Sequence, residues 1–301
     1  MIQSLNSGLT CFWQFIPIVN KTEWAKKSFS GNRDRLYSFV NKAIEKSLAT
    51  YSKIADKNKL PLVCILAEFP QYLGEEGRIT LMHDMLILIY GGSETTTNVL
   101  SFAFGEIARR TEVQKKIFAE VQDIFGNVFK VNPREFLPEH LNRLNYSTAV
   151  MRESYRVYPP GVVSYATAKE DYQVCGFLIP AGTDIMCNIL GILKDPELFP
   201  NPDKFDPERW TTSTVNSNAN APAEENVMVN QGVPEAAFTL GAHACMGRHL
   251  ATLELRCLIA LLVNAFHLEL KEGSEINTKV FFSMKPKDGV WIKFKKRCHN
   301  P

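Results

Sequence analysis

The sequence predicts a mostly α-helical fold with small β elements, an α+β layout in which helices dominate. Two observations predict it. Up to about residue 157, apolar side chains recur at the three- and four-residue spacing of amphipathic helices. Beyond residue 161, short runs of β-branched residues alternate with glycine- and proline-containing turns, and one long apolar helix follows near the carboxyl end.

The helices of the first half are predicted from this periodicity and from their stop signals. Gly126 is suited to end one helix, and Pro159 and Pro160 stop another. The predicted helices span residues 24–57, 61–72, 79–110 with an interruption at Gly91-Gly92, 111–125 and 144–157.

The second half is predicted to hold short strands, irregular segments and one helix. Four prolines make residues 194–210 irregular, and the Ser-, Thr- and Asn-rich residues 211–230 are typical of a polar surface insertion. The predicted strands lie within residues 162–167, 174–189, 266–271 and 289–295, and the predicted helix spans residues 246–266.

The composition is that of an ordinary globular protein and excludes several classes. The 301 residues are 45% hydrophobic, which excludes an intrinsically disordered or fibrous chain. The 34 Lys and Arg residues against 32 Asp and Glu residues give a net charge of +2, too neutral for a dedicated nucleic-acid-binding protein. Seven cysteines, an odd number with no Cys-x-x-Cys pair, favour reduced intracellular thiols over a disulfide scaffold.

No run of about 18 apolar residues occurs, so the sequence predicts no membrane-spanning helix. The apolar run at residues 9–19 is short, is interrupted by Gln14 and Pro17, and lacks the basic leader of a signal peptide. We interpret it as a core segment rather than as one that lies on a membrane surface.

The sharpest chemical signal is the segment from Phe238 to Gly247, with the sequence FTLGAHACMG. A cysteine thiolate that binds a metal must be presented by a tight turn, for which Gly241 and Gly247 are suited. The helix predicted to begin directly after Cys245 would stabilise a negative sulfur through its free N–H groups and its dipole. Phe238 would shield the sulfur from water, and His243 could hydrogen-bond an anionic group of a cofactor.

Three other interpretations of Cys245 are open at this point. A buried core thiol is the commonest fate of a single cysteine. A zinc site with His243, His249 or Cys257 is a second, although no such set has an accepted zinc spacing. A catalytic nucleophile is a third, although the sequence shows no partner base.

A second signal lies at residues 91–96, with the sequence GGSETT, inside the long apolar helix. Two glycines in a helix interior cost about 1 kcal/mol each relative to alanine. Gly91 and Gly92 would let a planar cofactor approach the backbone, and a local break there would free backbone groups to hold water. Glu94 and Thr95 could then relay protons. Alternatively, the two glycines end one helix and the serine after them caps the next.

A third signal is the pair Glu153 and Arg156, which are three residues apart and therefore share one face of a predicted helix. Their carboxylate and guanidinium groups can meet. By itself the pattern is equally typical of a solvated surface pair.

These motifs, in this order along the chain, resemble those of the cytochrome P450 superfamily of the eukaryotic microsomal type. Its haem-binding loop reads Phe, two residues, Gly, one residue, Arg or His, one residue, Cys, one residue, Gly. The resemblance implies a heme b cofactor (iron protoporphyrin IX) with Cys245 as its axial iron ligand and His243 beside a propionate. The remaining residues of the loop that match the motif are Phe238, Gly241 and Gly247.

The other two motifs match the same superfamily. Residue by residue, Gly91 and Gly92 stand beside the haem on the distal helix, and Glu94 and Thr95 are the catalytic acid and hydroxyl of a proton relay. The resemblance also implies that Glu153 and Arg156 are buried and locked to a later arginine as a structural network. Arg209, in the segment PERW, is the matching residue.

The resemblance covers about residue 15 to the end and implies that residues 1–301 are the carboxy-terminal part of a P450 catalytic domain. In this interpretation the relay helix lies at about 79–110, the Glu-x-x-Arg helix at about 144–157, the polar insertion at 211–230 and the haem-thiolate loop at 238–247. Family members are much longer, and they often carry an arginine shortly after the turn that Pro159 and Pro160 occupy here. We therefore expect a truncated chain that is a poor enzyme by itself.

The activity implied by the resemblance is that of a haem-thiolate monooxygenase (EC 1.14 type), which inserts one atom of O₂ into a small apolar organic substrate. Residues 88–92, 160–163 and 281–284 would line its pocket. The implied electron donor is an NADPH-dependent flavoprotein reductase. A full-length parent would reside at the endoplasmic reticulum membrane, whereas this chain is expected to be intracellular without an anchor. Two alternatives are a truncated, inactive fragment and a haem-binding module without turnover, such as a sensor.

Overall fold

The computed structural model of the chain describes residues 23–51, 60–126, 138–211, 234–281 and 283–297. Within these ranges the protein is mostly helical, with short strands that pair into two-stranded antiparallel sheets. The predicted α+β class is therefore confirmed. The chain divides into two compact units, Met1–Gly91 and Gly92–Pro301, which are described in turn.

The helices of the described part of the chain are α1 (Glu23–Tyr51), α2 (Leu62–Leu66), α3 (Gly74–Ala108), α4 (Thr111–Phe125), α5 (Pro138–Arg143), α6 (Asn145–Val157), α7 (Ile189–Leu193) and α8 (Arg248–Ala265). The strands are β1 (Ser164–Thr167), β2 (Tyr172–Val174), β3 (Phe177–Ile179), β4 (Asp184–Cys187), β5 (Phe266–Leu270), β6 (Thr278–Val280), β7 (Met284–Pro286) and β8 (Ile292–Lys296). Short 3₁₀ turns lie at Pro70–Tyr72, Pro207–Trp210, Pro234–Phe238 and Gly241–His243.

The core of the first unit is formed by α1, α2 and the first turns of α3. Val40 and Ile44 are four residues apart on α1, so they share one face and are buried together. They pack with Cys64 of α2 and with Leu81 of α3. The helical spacing of apolar residues in the sequence thus accounts for this packing.

The core of the second unit joins helices α3, α4, α6 and α8 to strand β5. Ile107 of α3, Ile117 of α4, Ile259 of α8 and Leu268 of β5 belong to one cluster of buried side chains. Burying an aliphatic side chain of this size stabilises the fold by about 1.5–3 kcal/mol. The cluster therefore fixes α8 and β5, which follow Cys245 in the chain, against the carboxyl end of α3.

A buried glutamine joins α4 to the sheet edge. Gln114 donates from Nε2 to the carbonyl oxygen of Leu268 at 3.0 Å, and its Oε1 accepts from the N–H of Leu268 at 2.7 Å. The side-chain amide therefore satisfies both backbone polar groups of Leu268, which would be costly to leave unpaired at this depth.

Four antiparallel pairs make up the sheets of the described residues: β1 with β4, β2 with β3, β5 with β8, and β6 with β7. In the last pair, Lys279 lies directly opposite Lys285. The backbone N–H of Met284, on β7, also donates to the carbonyl oxygen of Pro160 at 2.9 Å. This bond ties the β6–β7 hairpin to the segment that follows α6.

Two expectations about the helices are wrong. Helix α3 runs without interruption through Gly91 and Gly92, so neither a break nor a second capped helix occurs there. A cost of about 1 kcal/mol per glycine is small beside the packing of the flanking turns, which decides helix stability in a folded protein. Helix α8 begins at Arg248 rather than directly after Cys245.

One element was not predicted, and several predicted segments lie outside the described residues. The β6–β7 hairpin was not predicted, because residues 278–286 lack a clear alternation of apolar and polar side chains. Residues 9–19, the segment 127–137 and residues 212–233, which hold most of the polar insertion, lie outside the described residues. Among the residues that the structure describes, no helix is both long and apolar enough to cross a membrane.

Candidate functional site

The loop from Phe238 to Gly247 presents the Cys245 thiol at the surface. The N–H of Cys245 donates to the carbonyl oxygen of Phe238 at 2.8 Å and closes the loop. Gly241 adopts a φ of +75°, the left-handed region that glycine tolerates without cost. The Cys245 side chain is exposed as a result.

Thr239 was not predicted as a residue of this loop's framework. Its φ of +58° is unfavourable for a β-branched residue. Its Oγ1 donates to the carbonyl oxygen of His243 at 2.8 Å, which offsets part of this cost and fixes the turn. The His243 side chain itself is exposed.

Cys245 lies just ahead of the first turn of α8. The N–H of Arg248 donates to the carbonyl oxygen of Cys245 at 3.3 Å, and Gly247 is the cap residue of the helix. The thiol is therefore near the positive end of the helix, as expected, although outside its first turn. Gly247 has a φ of −84°, so the backbone there does not require glycine, in contrast to Gly241.

Phe238 anchors the loop to α6. Its ring meets that of Tyr155 edge-on, with centroids 5.2 Å apart and an interplanar angle of 73°. Such aromatic pairs contribute about 0.5–1.5 kcal/mol beyond the area they bury. Because Tyr155 lies between Glu153 and Arg156, the same helix carries the loop's anchor and the predicted ion pair.

The structure bears on two of the alternative interpretations of Cys245. A buried core thiol is wrong, because the side chain is exposed, whereas Cys64 is buried and packs in a core. Within the described ranges, no group of three or more His, Cys, Asp or Glu side chains is arranged to hold a metal ion, so the structure offers no support for a zinc site with His243, His249 or Cys257.

The glycines of α3 leave open space beside the helix. Gly91 and Gly92 are exposed, and a Cβ built at either position would have no neighbour within 4 Å. Glu94 and Thr95, on the following turn, are half-buried. A flat group could therefore lie close to the backbone of α3 at Gly92, next to a carboxylate and a hydroxyl.

Glu94 is held by residues that sequence reasoning missed. Ser283 donates from Oγ to Glu94 Oε1 at 2.8 Å, and the ammonium of Lys285 lies 3.8 Å from the same oxygen. Asn98 donates from Nδ2 to Ser283 Oγ at 3.2 Å. No local signal could have found these partners, because about 190 residues separate Glu94 from Ser283.

Glu153 and Arg156 form a fully buried bidentate pair on α6. Arg156 donates from Nε and from one terminal nitrogen to the two oxygens of Glu153, both at 2.8 Å, and neither side chain has exposed surface. Its other N–H groups donate to backbone carbonyl oxygens of Leu193, Pro202 and Lys204, at 2.8–3.1 Å. Every side of the guanidinium is thus occupied, as a buried charge requires.

The loop around residues 206–210 completes the coordination of Glu153. Arg209 donates from Nε to Glu153 Oε1 at 3.1 Å, the indole N–H of Trp210 donates to Oε2 at 2.9 Å, and the N–H of Asp206 donates to Oε1 at 2.8 Å. The structure thus brings together all three predicted members of the network. Trp210 was missed, although it follows Arg209 directly.

Asp206 shows the electrostatic character of this loop. Burial pushes the pKa of its carboxyl upward, but the hydrogen bond and positive charge of Lys204 together with the charge of Arg209 outweigh burial, so the pKa lies below its usual range. The network therefore sits among matched charges rather than beside an isolated carboxyl group.

These residues fit a haem. The exposed Cys245 thiol could supply the soft axial ligand that haem iron accepts. The exposed apolar side chains of Leu240 and Met246, which are 62% and 82% exposed, stand near it in the chain and could cover an apolar ring. The open face at Gly92 offers room for a flat group. The hydrogen bond from Met284 to Pro160 brings together two of the segments predicted to line a pocket.

Comparisons with known proteins agree with the motifs. The family model described as "Cytochrome P450" matches residues 1–293. Among curated proteins, the chain is 31% identical over 217 residues to "Cytochrome P450 4d8" of Drosophila melanogaster, which covers 70% of this chain and 43% of that protein. It is 32% identical over 216 residues to "Ferruginol synthase" of Salvia fruticosa, covering 71% and 41%. The chain thus spans less than half of the length of these relatives.

The fold is also that of solved structures. A crystal structure of a cytochrome P450 (CYP102L1) superposes with a TM-score of 0.73 at 19% identity, covering 96% of this chain and 62% of that one. The crystal structure of the cytochrome P450DA heme domain gives a TM-score of 0.70 at 20% identity, covering 99% and 59%. With its fold, its Phe238–Gly247 loop and a family match over residues 1–293, the chain belongs to the cytochrome P450 family.

Proposed function

We propose that the protein acts as a haem-thiolate monooxygenase, with Cys245 as the axial ligand of the iron of heme b. The observation that carries the proposal is the exposed Cys245 thiol, presented by a closed turn ahead of α8 in a loop that Phe238 anchors to α6. A thiol buried in a core or paired with other side chains could not serve this purpose.

The residues that would hold the haem lie on two elements. Cys245 would bind the iron, Phe238 would shield the sulfur, and the exposed His243 would hydrogen-bond a propionate. Gly92, with Gly91 before it, would leave room for the ring beside α3. A haem bound through a thiolate supplies reductive cleavage of O₂, because the thiolate pushes electron density that favours breaking the O–O bond.

Glu94 and Thr95 would deliver protons. They are consecutive on α3, so their side chains point roughly 100° apart and do not face each other. A proton would pass between them through water rather than directly. The carboxylate can accept a proton from solvent and release it, and the Thr95 hydroxyl can donate one proton while it accepts another.

The overall reaction would use one apolar substrate, O₂, NADPH and one proton. One oxygen atom would enter a C–H bond of the substrate as a hydroxyl group, the other would leave as water, and NADPH would be oxidised to NADP⁺ by a flavoprotein reductase that passes on both electrons. Residues 160–163 and 281–284 would line the substrate pocket. Apolar binding of this kind gives orientation and excludes water.

The Glu153 network would serve structure rather than chemistry. Glu153, Arg156 and Arg209 tie α6 to the loop before the insertion, while Tyr155 between them packs on Phe238. Removing the network would therefore disturb the turn that presents Cys245.

Oxygen-isotope labelling tests the proposal. Haem-loaded protein with an NADPH-dependent reductase and a panel of apolar substrates is exposed to ¹⁸O₂, and the products are analysed by mass spectrometry. We expect one labelled oxygen atom per product molecule, and none with Cys245→Ser. Haem bound through Cys245 without labelled product from any substrate would instead indicate a haem-binding module without turnover. Failure to bind haem would overturn both functions.

A further inference from the structure

The Glu94 carboxylate is fixed by a hairpin that is distant in sequence. Its Oε1 accepts a hydrogen bond from Ser283 at 2.8 Å and lies 3.8 Å from the Lys285 ammonium. The Glu94 and Lys285 side chains are only 19% and 24% exposed, and Ser283 is 3% exposed. For a lysine, which normally keeps its charge in water, this degree of burial calls for a partner.

The contacts join one face of α3 to the beginning of β7. Glu94 and Asn98 are four residues apart on α3 and therefore lie on one face of the helix. Ser283 directly precedes β7 and Lys285 is the middle residue of that strand, and both side chains reach the same oxygen of Glu94. One helix face thus meets one side of the hairpin. The hairpin is itself held in place by the Met284 to Pro160 hydrogen bond.

The hydrogen bonds among Asn98, Ser283 and Glu94 run in one direction, from the amide through the hydroxyl to the carboxylate. Asn98 donates from Nδ2 to Ser283 Oγ at 3.2 Å, so the serine oxygen is used as an acceptor. The serine proton then points to Glu94 Oε1, which can only accept when it is ionised. This chain of donors holds the carboxylate in one orientation.

The residue opposite Lys285 in the sheet explains why Lys285 benefits from a negatively charged partner. Lys279 lies directly opposite Lys285 in the β6–β7 pair, and like charges at directly opposite positions destabilise a sheet. Among the described residues, the carboxylate within 4.0 Å of the Lys285 ammonium is that of Glu94. Glu94 therefore compensates a charge that the hairpin alone would disfavour.

We infer that Ser283 and Lys285 are positioning residues for Glu94: the hydroxyl orients its carboxylate, and the ammonium balances its charge. Both contacts use Oε1, which leaves Oε2 for exchange of a proton with water. The inference rests on the proposed function for its catalytic meaning, but the contacts themselves can be tested without turnover.

A double-mutant cycle on the full chain tests the contacts. The unfolding equilibrium is measured in urea for Lys285→Met, Glu94→Gln and the double variant. We expect the effects to be non-additive by about threefold or more in the unfolding equilibrium constant. The matched control is Lys279→Met, on the neighbouring strand, whose effect should add to that of Glu94→Gln. Additive effects for Lys285 would overturn the inference.

A second measurement separates positioning from simple stabilisation. In haem-loaded protein, NADPH supplies two electrons for each molecule of O₂. These electrons are used either to form hydroxylated product and water or, with two protons, to form hydrogen peroxide. Lys285→Met and Ser283→Ala should raise the share released as peroxide at least about twofold, with the substrate KM unchanged, and Lys285→Arg and Ser283→Thr should restore it. A peroxide share equal to that of Lys279→Met would contradict the inference. If the wild-type chain shows no turnover, the proposed function fails, while the urea cycle still decides whether Lys285 interacts with Glu94.

Discussion

At the scale of single residues, Glu153 shows how a fully buried carboxylate is balanced by its partners. It has no exposed surface and is matched by Arg156, Arg209 and Trp210. Removing one partner of a buried ion pair is far more costly than the net contribution of the pair, because the other charge stays buried and unpaired.

Glu153→Ala should therefore lower the free energy of unfolding by about 3–5 kcal/mol, measured by urea denaturation. The control is Glu112→Ala, which removes a carboxylate from an exposed pair with Lys115, also three residues apart on a helix. That change should cost less than about 1 kcal/mol. Equal effects of the two substitutions would mean that the Glu153 network is not buried.

Tyr158 makes the stability of the fold depend on pH in the alkaline range. Burial raises the pKa of its phenol above the ordinary value near 10.0, although the charges of Arg109 and Arg110 oppose this. Because the folded pKa lies above the unfolded one, the contribution of Tyr158 to stability is fully present below about pH 10 and is lost as the pH rises toward the folded pKa.

Tyr158→Phe should therefore reduce the loss of stability above pH 10, measured as the melting temperature from pH 8 to 11. The phenylalanine keeps the ring stacked on Phe102, with centroids 4.2 Å apart, but loses the hydroxyl that donates to Glu106. Tyr165→Phe is the control, because Tyr165 is 72% exposed. An unchanged alkaline profile in Tyr158→Phe would contradict the prediction.

At the scale of elements, α3 contains one glycine beside open space and one that is closely packed. A Cβ at Gly92 would meet no atom within 4 Å, whereas a Cβ at Gly105 would lie 2.8 Å from Ile276 Cδ1 and 2.9 Å from Val290 Cγ1. Both positions are in the same helix, Gly92 near its middle and Gly105 in its last turn. Helix propensity favours alanine at both positions, and most strongly at Gly92, while packing opposes it only at Gly105.

Gly92→Ala should raise the free energy of unfolding by about 0.5–1 kcal/mol, since alanine is the better helix former. Gly105→Ala should gain less or destabilise, because two side chains must move aside. Haem titration of the same variants adds a functional comparison: Gly92→Ala should weaken haem binding despite its greater stability. A larger stabilisation from Gly105→Ala than from Gly92→Ala would contradict this account.

At the scale of the whole molecule, the sequence is a good guide where signals are local. The predicted helix 111–125 is observed as α4 (Thr111–Phe125), because its apolar residues repeat at helical spacing and Gly126 follows it. The predicted strands at 266–271 and 289–295 are observed as the paired β5 and β8. The uninterrupted course of α3 was not predicted, because tertiary packing overrides glycine propensity.

The residues of the candidate site likewise fall into those that the sequence predicts and those that only the folded structure reveals. The Cys245 loop and the pair Glu153 and Arg156 are visible in the sequence, because their spacing alone brings the groups close together. The contacts of Glu94 with Ser283 and Lys285 are not, since only the folded chain brings α3 against the β6–β7 hairpin. Nothing in the sequence of residues 281–286 distinguishes a buried lysine from a solvated one.

The spectrum of the reduced, carbon-monoxide-bound protein tests the central claim most directly. The chain is expressed with haem supplied, reduced with dithionite and treated with carbon monoxide, beside Cys245→Ser and Cys187→Ser, which alters another exposed cysteine. We expect the absorption band of thiolate-bound haem in the wild type and in Cys187→Ser, and its loss in Cys245→Ser. A thiolate band that survives in Cys245→Ser would contradict the assignment of Cys245 as the iron ligand.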